Sequence, residues 1–435
     1  MTFPLTLIFI WLVFWRPQEW LLPWMCGWPL LDVIVYAAVL SLFMEAGESA
    51  GKFFRKPAVL LTIGLWFAAL MSHIAHAYFA GLVAAIPEVS KICIFLLLLL
   101  VVMDRVSRLR TVINVMLIAG VVMAVDAIMQ YKTGQGFSGA KPLFYFHEMK
   151  GAWITQTQFW GIFSDPNDLG QFLVACAPFA FVTTKRFGFK GFLLGLLLAW
   201  LLTEALLTTH SRGALVGGIA SLAVLLFLRL PPKWMPYVAT LGLLGGLVAC
   251  VAWGVDWLDE SARDRVMFWG NANRYFKTHP LFGGGFLMFS EISGTDRPAH
   301  NAFVTCYTEL GFFGYWFWFS TMTLGFIGCY RTRVALRRAR TEAGAYLHRA
   351  AGCAMASMAG FAASGYFLSR AYVFPMFILF GILNVIPVIA ERYLPEDHPP
   401  LVNWRYDVLF IGTISSFLSI LYIYATILLL NRGNV

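Results

Sequence analysis

Three short stretches of the chain carry side chains that can hold an anion or move a proton. Arg212 stands in TTHSRGALVGG, Arg265 in SARDRVMFW, and His300 with Asn301 in RPAHNAFVTCYTELGFFG. A guanidinium is permanently charged and offers a fork of donors that matches phosphate. An imidazole, with an ordinary pKa of about 6.5, accepts protons near neutrality and suits a general base. Each residue also has a plainer reading. Arg212 can snorkel to lipid headgroups or pair with Glu204. Arg265 can belong to a solvated cluster with Arg263, Asp264, Asp259 and Glu260, worth little energetically. Residue type alone does not choose Arg265 over Arg263 or Arg274. A lone histidine is most often a hydrogen-bonded structural residue, and His147, His210 and His279 compete with His300.

The elements that must position these residues are helices in a membrane. Of 435 residues, 59% are hydrophobic and only 13% are charged. Soluble domains carry roughly a quarter of charged residues. Repeated apolar runs of about twenty residues can cross a hydrocarbon core of roughly 30 Å, where the backbone satisfies itself only in helices or closed barrels. Unbroken runs such as FLLGLLLAWLL lack the alternation of a barrel, which predicts an all-α, polytopic membrane protein. Candidate spans fall near 3–15, 28–44, 58–79, 82–103, 111–130, 168–184, 190–208, 213–229, 236–253, 302–330, 350–369, 375–390 and 407–430. The first is short, so 12–13 transmembrane helices are expected. The N-terminal run lacks a basic residue before Arg16 and a cleavage site, and is expected to be retained as a span.

The net charge of +9 is spread over short loops and not gathered into a nucleic-acid-binding face. Lys52/Arg55/Lys56, Arg105/Arg108/Arg110, Lys185/Arg186/Lys190, Arg229/Lys233 and the run Arg331 to Arg349 fall on one side, cytoplasmic by the positive-inside rule. The chain then divides into N-terminal spans (1–130), a periplasmic loop (131–167), central spans (168–253), a large periplasmic loop (254–301) and C-terminal spans (302–435). In the second loop a helix is expected over Ala262–Lys277, lying on the membrane surface or over the bundle. Asp259, Glu260 and Ser261 suit its start, Val266, Met267, Trp269 and Gly270 form its apolar side, and Pro280 and Gly283–Gly285 stop it. The first loop, with the Gly-rich and flexible KTGQGFSGAKP, reads as a lid or acceptor surface. Trp153, Trp160, Trp253, Trp257 and Trp269 are expected at headgroup depth.

On this topology Arg212 is doubly anomalous. It is a cation outside the membrane, and it adjoins the positive end of a helix that Ser211 can cap. A bound anion resolves both conflicts. Other signals carry less. Gly283–Gly285 lacks the Lys and Ser/Thr of a phosphate loop, and Asp256, Asp259 and Asp264 are not spaced for a hard cation. No metal is indicated. The seven cysteines lie in or beside apolar runs with no disulfide framework. Asp126 and Glu309 lie near span ends where they can reach polar groups, and Gly213–Gly217 suits close helix packing.

GIFSDPNDLGQFL at 161–173, THSRGALVGG at 209–218, and RDRVMFW, HPLFGGGFLMF and HNAFVTCYTELGFFG between 263 and 314 together resemble the O-antigen ligase and polymerase superfamily. WRPQEW near the start resembles the branch described as O-glycosylation ligases. The resemblance implies a glycosyltransferase that uses neither nucleotide sugar nor metal. Its donor would be a glycan on undecaprenyl pyrophosphate at the periplasmic face of the bacterial inner membrane. The family's phosphate-binding arginines fall on Arg212 and on Arg265, with Arg263 adjacent, and its histidine falls on His300. Asn301 and His210 flank them as candidate substrate-binding residues. Fixed cations would stabilise the leaving diphosphate, and His300 would deprotonate the acceptor hydroxyl. One base and no evident carboxylate nucleophile imply inversion. The acceptor is expected to be a lipid A core sugar, with a growing glycan or a protein as alternatives. Outside the enzymes, the rival is a transporter of lipid-linked glycan. It would place charges at the midplane and usually repeat a half, whereas polar residues here gather in two loops of one face.

Overall fold

The structure, a computed structural model, describes residues 1–45, 56–147, 151–185, 188–253, 260–294 and 298–431. Lys52, Arg55, Arg186, Asp256, Trp257, Asp259 and Arg297 lie outside the described residues. So do the side chains of His147, Trp253 and Ser261.

Every apolar segment anticipated from the sequence is helical. In chain order the helices are α1 (Thr2–Trp15), α2 (Leu30–Glu45), α3 (Pro57–Ile74), α4 (Phe79–Val102), α5 (Val106–Thr133), α6 (Pro166–Thr184), α7 (Gly188–Thr208), α8 (Arg212–Phe227) and α9 (Met235–Trp253). There follow α10 (Glu260–Thr278), the short α11 (Phe289–Ser293), α12 (Ala302–Ala335), α13 (Glu342–Gly365), α14 (Phe374–Ala390) and α15 (Thr413–Leu430), the last preceded by a π-helical stretch at Trp404–Gly412. By length and composition, six of the described helical segments are long and apolar enough to cross a membrane, and α1 and α8 are shorter apolar helices. The chain is thus an all-α polytopic membrane protein.

Local chemistry explains where helices begin. Pro57 and Pro166 occupy first-turn positions that need no N–H donor, and the Asp165 carboxylate accepts from Asn167 N ahead of α6. Thr341 caps α13 by accepting from Gly344 N. Helix α14 lies at the centre of the bundle, buried on nearly all sides, between α4, α12 and α13. The GxxxG of α8 packs against α13 as expected: a Cβ at Gly217 would lie 2.0 Å from Ser364 Oγ and 2.5 Å from the Gly360 carbonyl. Helices α7, α8 and α9 turn Trp200, Ile219 and Leu241 outward, which only an apolar solvent tolerates.

Helix α12 is broken at Gly311 (φ 65°, ψ −170°), and the HPLFGGG segment fills the break. Gly284 N and Gly285 N donate to the carbonyls of Thr308 and Glu309, while Phe312 N and Phe313 N donate to Pro280 and Leu281. The backbone groups freed by the interruption are therefore satisfied by a neighbouring chain. Glycine is needed on both sides of this contact, because a Cβ at Gly311 would meet Leu281 O at 2.2 Å and one at Gly283 the Glu309 carbonyl carbon at 2.5 Å.

Within the first long loop Leu143–His147 (β1) pairs antiparallel with Ala152–Gln156 (β2), and Thr157 N donates to Thr208 O, which ties the hairpin to the end of α7. Two expectations need correction. On α10, Met267 points outward and Phe268 is buried, because the packed stripe is Val266, Trp269, Ala272, Asn273 and Phe276, a helical repeat from which residue 267 is one position displaced. Trp269 is 4% exposed and therefore an interior anchor, not a headgroup-belt residue. As anticipated, α10 lies over the bundle, against α12 and α15.

Candidate active site

Both arginine- and histidine-bearing motifs sit at helix starts built in the same way. Ser211 caps α8, accepting from Ala214 N at 3.2 Å, and Asn301 caps α12, accepting from Phe303 N at 3.0 Å and Val304 N at 3.1 Å. The residue before each cap is a histidine in the left-handed region, His210 (φ 50°) and His300 (φ 49°). Non-glycine residues enter that region at a cost of order 1 kcal/mol or more and are concentrated at functional sites. Each helix therefore starts abruptly, with its positive dipole end beside a histidine.

One segment, Tyr366–Ala371 between α13 and α14, ties these starts together. A Cβ on Gly213 would lie 3.0 Å from Phe367 Cβ, and the backbone N–H of His300 donates to Ser369 Oγ in a short hydrogen bond. Next in line, Arg370 holds Asp168 of α6 bidentately, through Nε to Oδ1 at 2.6 Å and through a close Nη2–Oδ2 contact. Asn167, beside Asp168, accepts from Ser211 Oγ at 2.7 Å. Trp269 on α10 stacks edge-on against Tyr366, centroids 5.6 Å apart, and its Nε1 donates to Ala299 O at 2.5 Å. The starts of α6, α8 and α12 and the middle of α10 thus meet around six consecutive residues.

The individual placements follow. Arg212 is exposed at the first position of α8, and His210 is exposed with its ring 6.2 Å from that of Tyr131. Arg265 is half-buried one turn before Trp269, whereas Arg263 and Arg274 are exposed. His300 is half-buried. Asn301 is fully buried; its Oδ1 is spent on the cap, while its buried Nδ2 has no hydrogen-bond partner among the described residues. The competing His279 lies elsewhere, stacked on Tyr275 at 4.3 Å with its Nδ1 2.8 Å from Thr278 Oγ1, and near His76, whose Nε2 meets Gly283 O at 2.6 Å. Burial raises the Tyr275 phenol above its ordinary pKa. Asp126 and Glu309 are buried with polar partners, as anticipated: Ser138 N and Gln130 for the first, Phe289 N for the second. Within WRPQEW, Arg16 pairs with Glu19 at 2.9 Å and lies against Gly161, just ahead of α6.

The sequence reading missed Arg370 and Asp168. Arg370 gave the same signal as Arg212, a cation in a connection expected outside the membrane, and Asp168 stood in a motif already quoted for the resemblance.

The O-antigen ligase family model matches residues 197–319. That segment runs from within α7 to the first half of α12 and contains Arg212, Arg265 and His300, but neither Asp168 nor Arg370. No curated protein matches the chain. The match supports the O-antigen ligase superfamily read from the motifs. Over residues 197–319 the chain is thus similar to the O-antigen ligase family, and its apolar helices make it a multi-pass membrane protein.

Proposed function

We propose that the protein transfers a glycan from undecaprenyl pyrophosphate to an acceptor hydroxyl, first of all a lipid A core sugar, at the periplasmic face of the inner membrane. The observation that carries this reading is the convergence of the α8 and α12 starts on Tyr366–Ala371. It brings the Arg212 and His300 stretches to one end of the bundle, with the Arg265 helix pinned there through Trp269. Arg212 and Arg265, helped by two helix N-termini, bind the diphosphate and stabilise charge growing on it as the glycosidic bond breaks. His300 accepts the proton of the acceptor hydroxyl as its oxygen attacks the anomeric carbon, and Asn301 fixes the backbone that holds His300. A single displacement inverts the anomeric configuration and calls on no metal in this scheme.

The test uses purified full-length protein, lipid-linked glycan and three acceptors in parallel: lipid A core, a growing glycan and an acceptor protein. Transfer to lipid A core that is lost in His300→Ala supports the proposal. Transfer to another acceptor alone moves the assignment to a polymerase or protein glycosylation. A retained anomeric configuration, a trapped glycosyl-enzyme, or translocation of the donor without transfer defeats the mechanism.

A further inference from the structure

A second constellation lies at the other end of the same helices. The end of α6, the start of α7, the end of α8, the end of α12 and the start of α13 line an open cavity of about 550 Å³. Four of those five termini are opposite to the ones that build the candidate active site. Lys185, Arg229, Arg333, His348 and Arg349 line it together with apolar residues, and no Asp or Glu is among the described lining residues. Glu342, the acidic residue at the start of α13, pairs with Arg110 at 3.2 Å instead. Arg333 Nη1 reaches only a carbonyl, that of His348, at 3.3 Å, and the Nε of Arg349 is buried with no hydrogen-bond partner among the described residues. Four cations and an imidazole around one cavity without a carboxylate among its described lining residues make a positive site that a bound anion would stabilise, most of all beside the half-buried Arg333 and Arg349.

The shape of the site identifies the class of anion. A second, apolar cavity of about 360 Å³ shares Pro178, Phe181, Leu222 and Leu225 with the first and continues between α6, α7 and α8 as far as Leu206 and Leu215. The result is a slot that is basic at one mouth and hydrocarbon-lined beyond it. A free phosphate would use the mouth and leave the slot idle; a phospholipid fills both. Basic pockets between membrane helices on the positively charged side recognise anionic headgroups in this way. We propose that this slot is a binding site for an anionic phospholipid of the leaflet at that end, its headgroup among Lys185, Arg229, Arg333 and Arg349 and an acyl chain between α6, α7 and α8. The proposal does not rest on the transfer chemistry.

The test is native mass spectrometry of the full-length protein, purified in neutral detergent and offered equal amounts of phosphatidylglycerol and phosphatidylcholine with identical chains. Wild-type protein should retain phosphatidylglycerol in preference by roughly tenfold. Arg349→Gln should abolish most of the preference. Because that side chain is partly buried, the doubly substituted Lys185→Gln/Arg229→Gln protein, altered only at exposed positions, should give the same loss. Leu222→Trp, which obstructs the slot and keeps every charge, should lower phosphatidylglycerol retention as well. Equal retention of the two lipids by wild type, or retention unchanged in the double variant and in Leu222→Trp, overturns the proposal. Displacement of the lipid by millimolar inorganic phosphate would identify a site for free anions and overturn it too.

Discussion

The two ends of the bundle use the same pairing for different purposes. At the active-site end Arg370 grips Asp168, and at the opposite end Arg331 grips Asp407 through bonds of 2.6 and 2.8 Å. In both pairs the carboxylate is buried and the arginine partly open, but Asp407 also accepts from Asn403 N, whereas Arg370 lies one residue from the hydroxyl that holds His300. The backbone differs in the same sense. All five non-glycine residues with positive φ among the described residues, Arg16, Ala77, His210, Leu287 and His300, lie at the active-site end. Left-handed residues and an interrupted helix hold side chains where regular helices would not carry them. The opposite end has no non-glycine residue of positive φ among the described residues, although the π-helical stretch at Trp404–Gly412 carries Asp407 there. Backbone strain thus gathers at the end that carries the candidate site, and a basic cavity lies at the other.

Four experiments can break or sharpen this contrast. The largest effect is expected for His300→Ala, which should lower transfer by roughly 10³-fold while donor binding persists. Full activity at normal membrane levels would end the case for a base at the strained end. Arg212→Ala and Arg265→Ala should each cost about 10²-fold in kcat/KM, with donor affinity falling together with rate. A loss confined to kcat would separate them from donor binding. The two arginine–carboxylate pairs should then part company. Arg331→Gln leaves Asp407 buried and unpaired, and should cost about 3 kcal/mol of stability in thermal unfolding, with unchanged donor affinity in the protein that remains folded. Arg370→Gln likewise leaves the buried Asp168 without its partner and should cost a similar amount of stability, about 3 kcal/mol, but should also slow transfer roughly tenfold by loosening the segment that fixes His300. Equal profiles for the two variants would erase the distinction between the ends. The smallest effect is that of Ala77→Gly, at an exposed left-handed position between α3 and α4, which should raise stability by about 1 kcal/mol with transfer unchanged. Destabilisation there would show that the backbone is not strained.

Much of the site could be read in advance because its parts are local. Ser211 and Asn301 announce helix starts by their own hydrogen-bonding chemistry, and SRG and HN are contiguous. Arg265 and Arg263, two residues apart, differ only in packing: the first is half-buried one turn before Trp269 and the second is exposed. Met267 was misassigned because a stripe drawn from apolar type alone slips by one position on a helix whose polar Asn273 is buried by a hydrogen bond from Tyr307. Asp168 and Arg370 were passed over because nothing within either neighbourhood refers to the other.

The sequence by itself determined that the chain is a helical membrane protein, where its helices run and which residue types could bind a phosphate and take a proton. Hydrophobic length, capping and charge bias act over a few residues or along one segment, so they are written locally. Only the tertiary structure decided that α12 breaks at Gly311 to receive HPLFGGG, that a β-hairpin closes on the end of α7, and that Tyr366–Ala371 binds three helix starts together. Those choices depend on contacts such as Asp168 with Arg370, 202 residues apart, whose free energy exists only once the helices between them have packed.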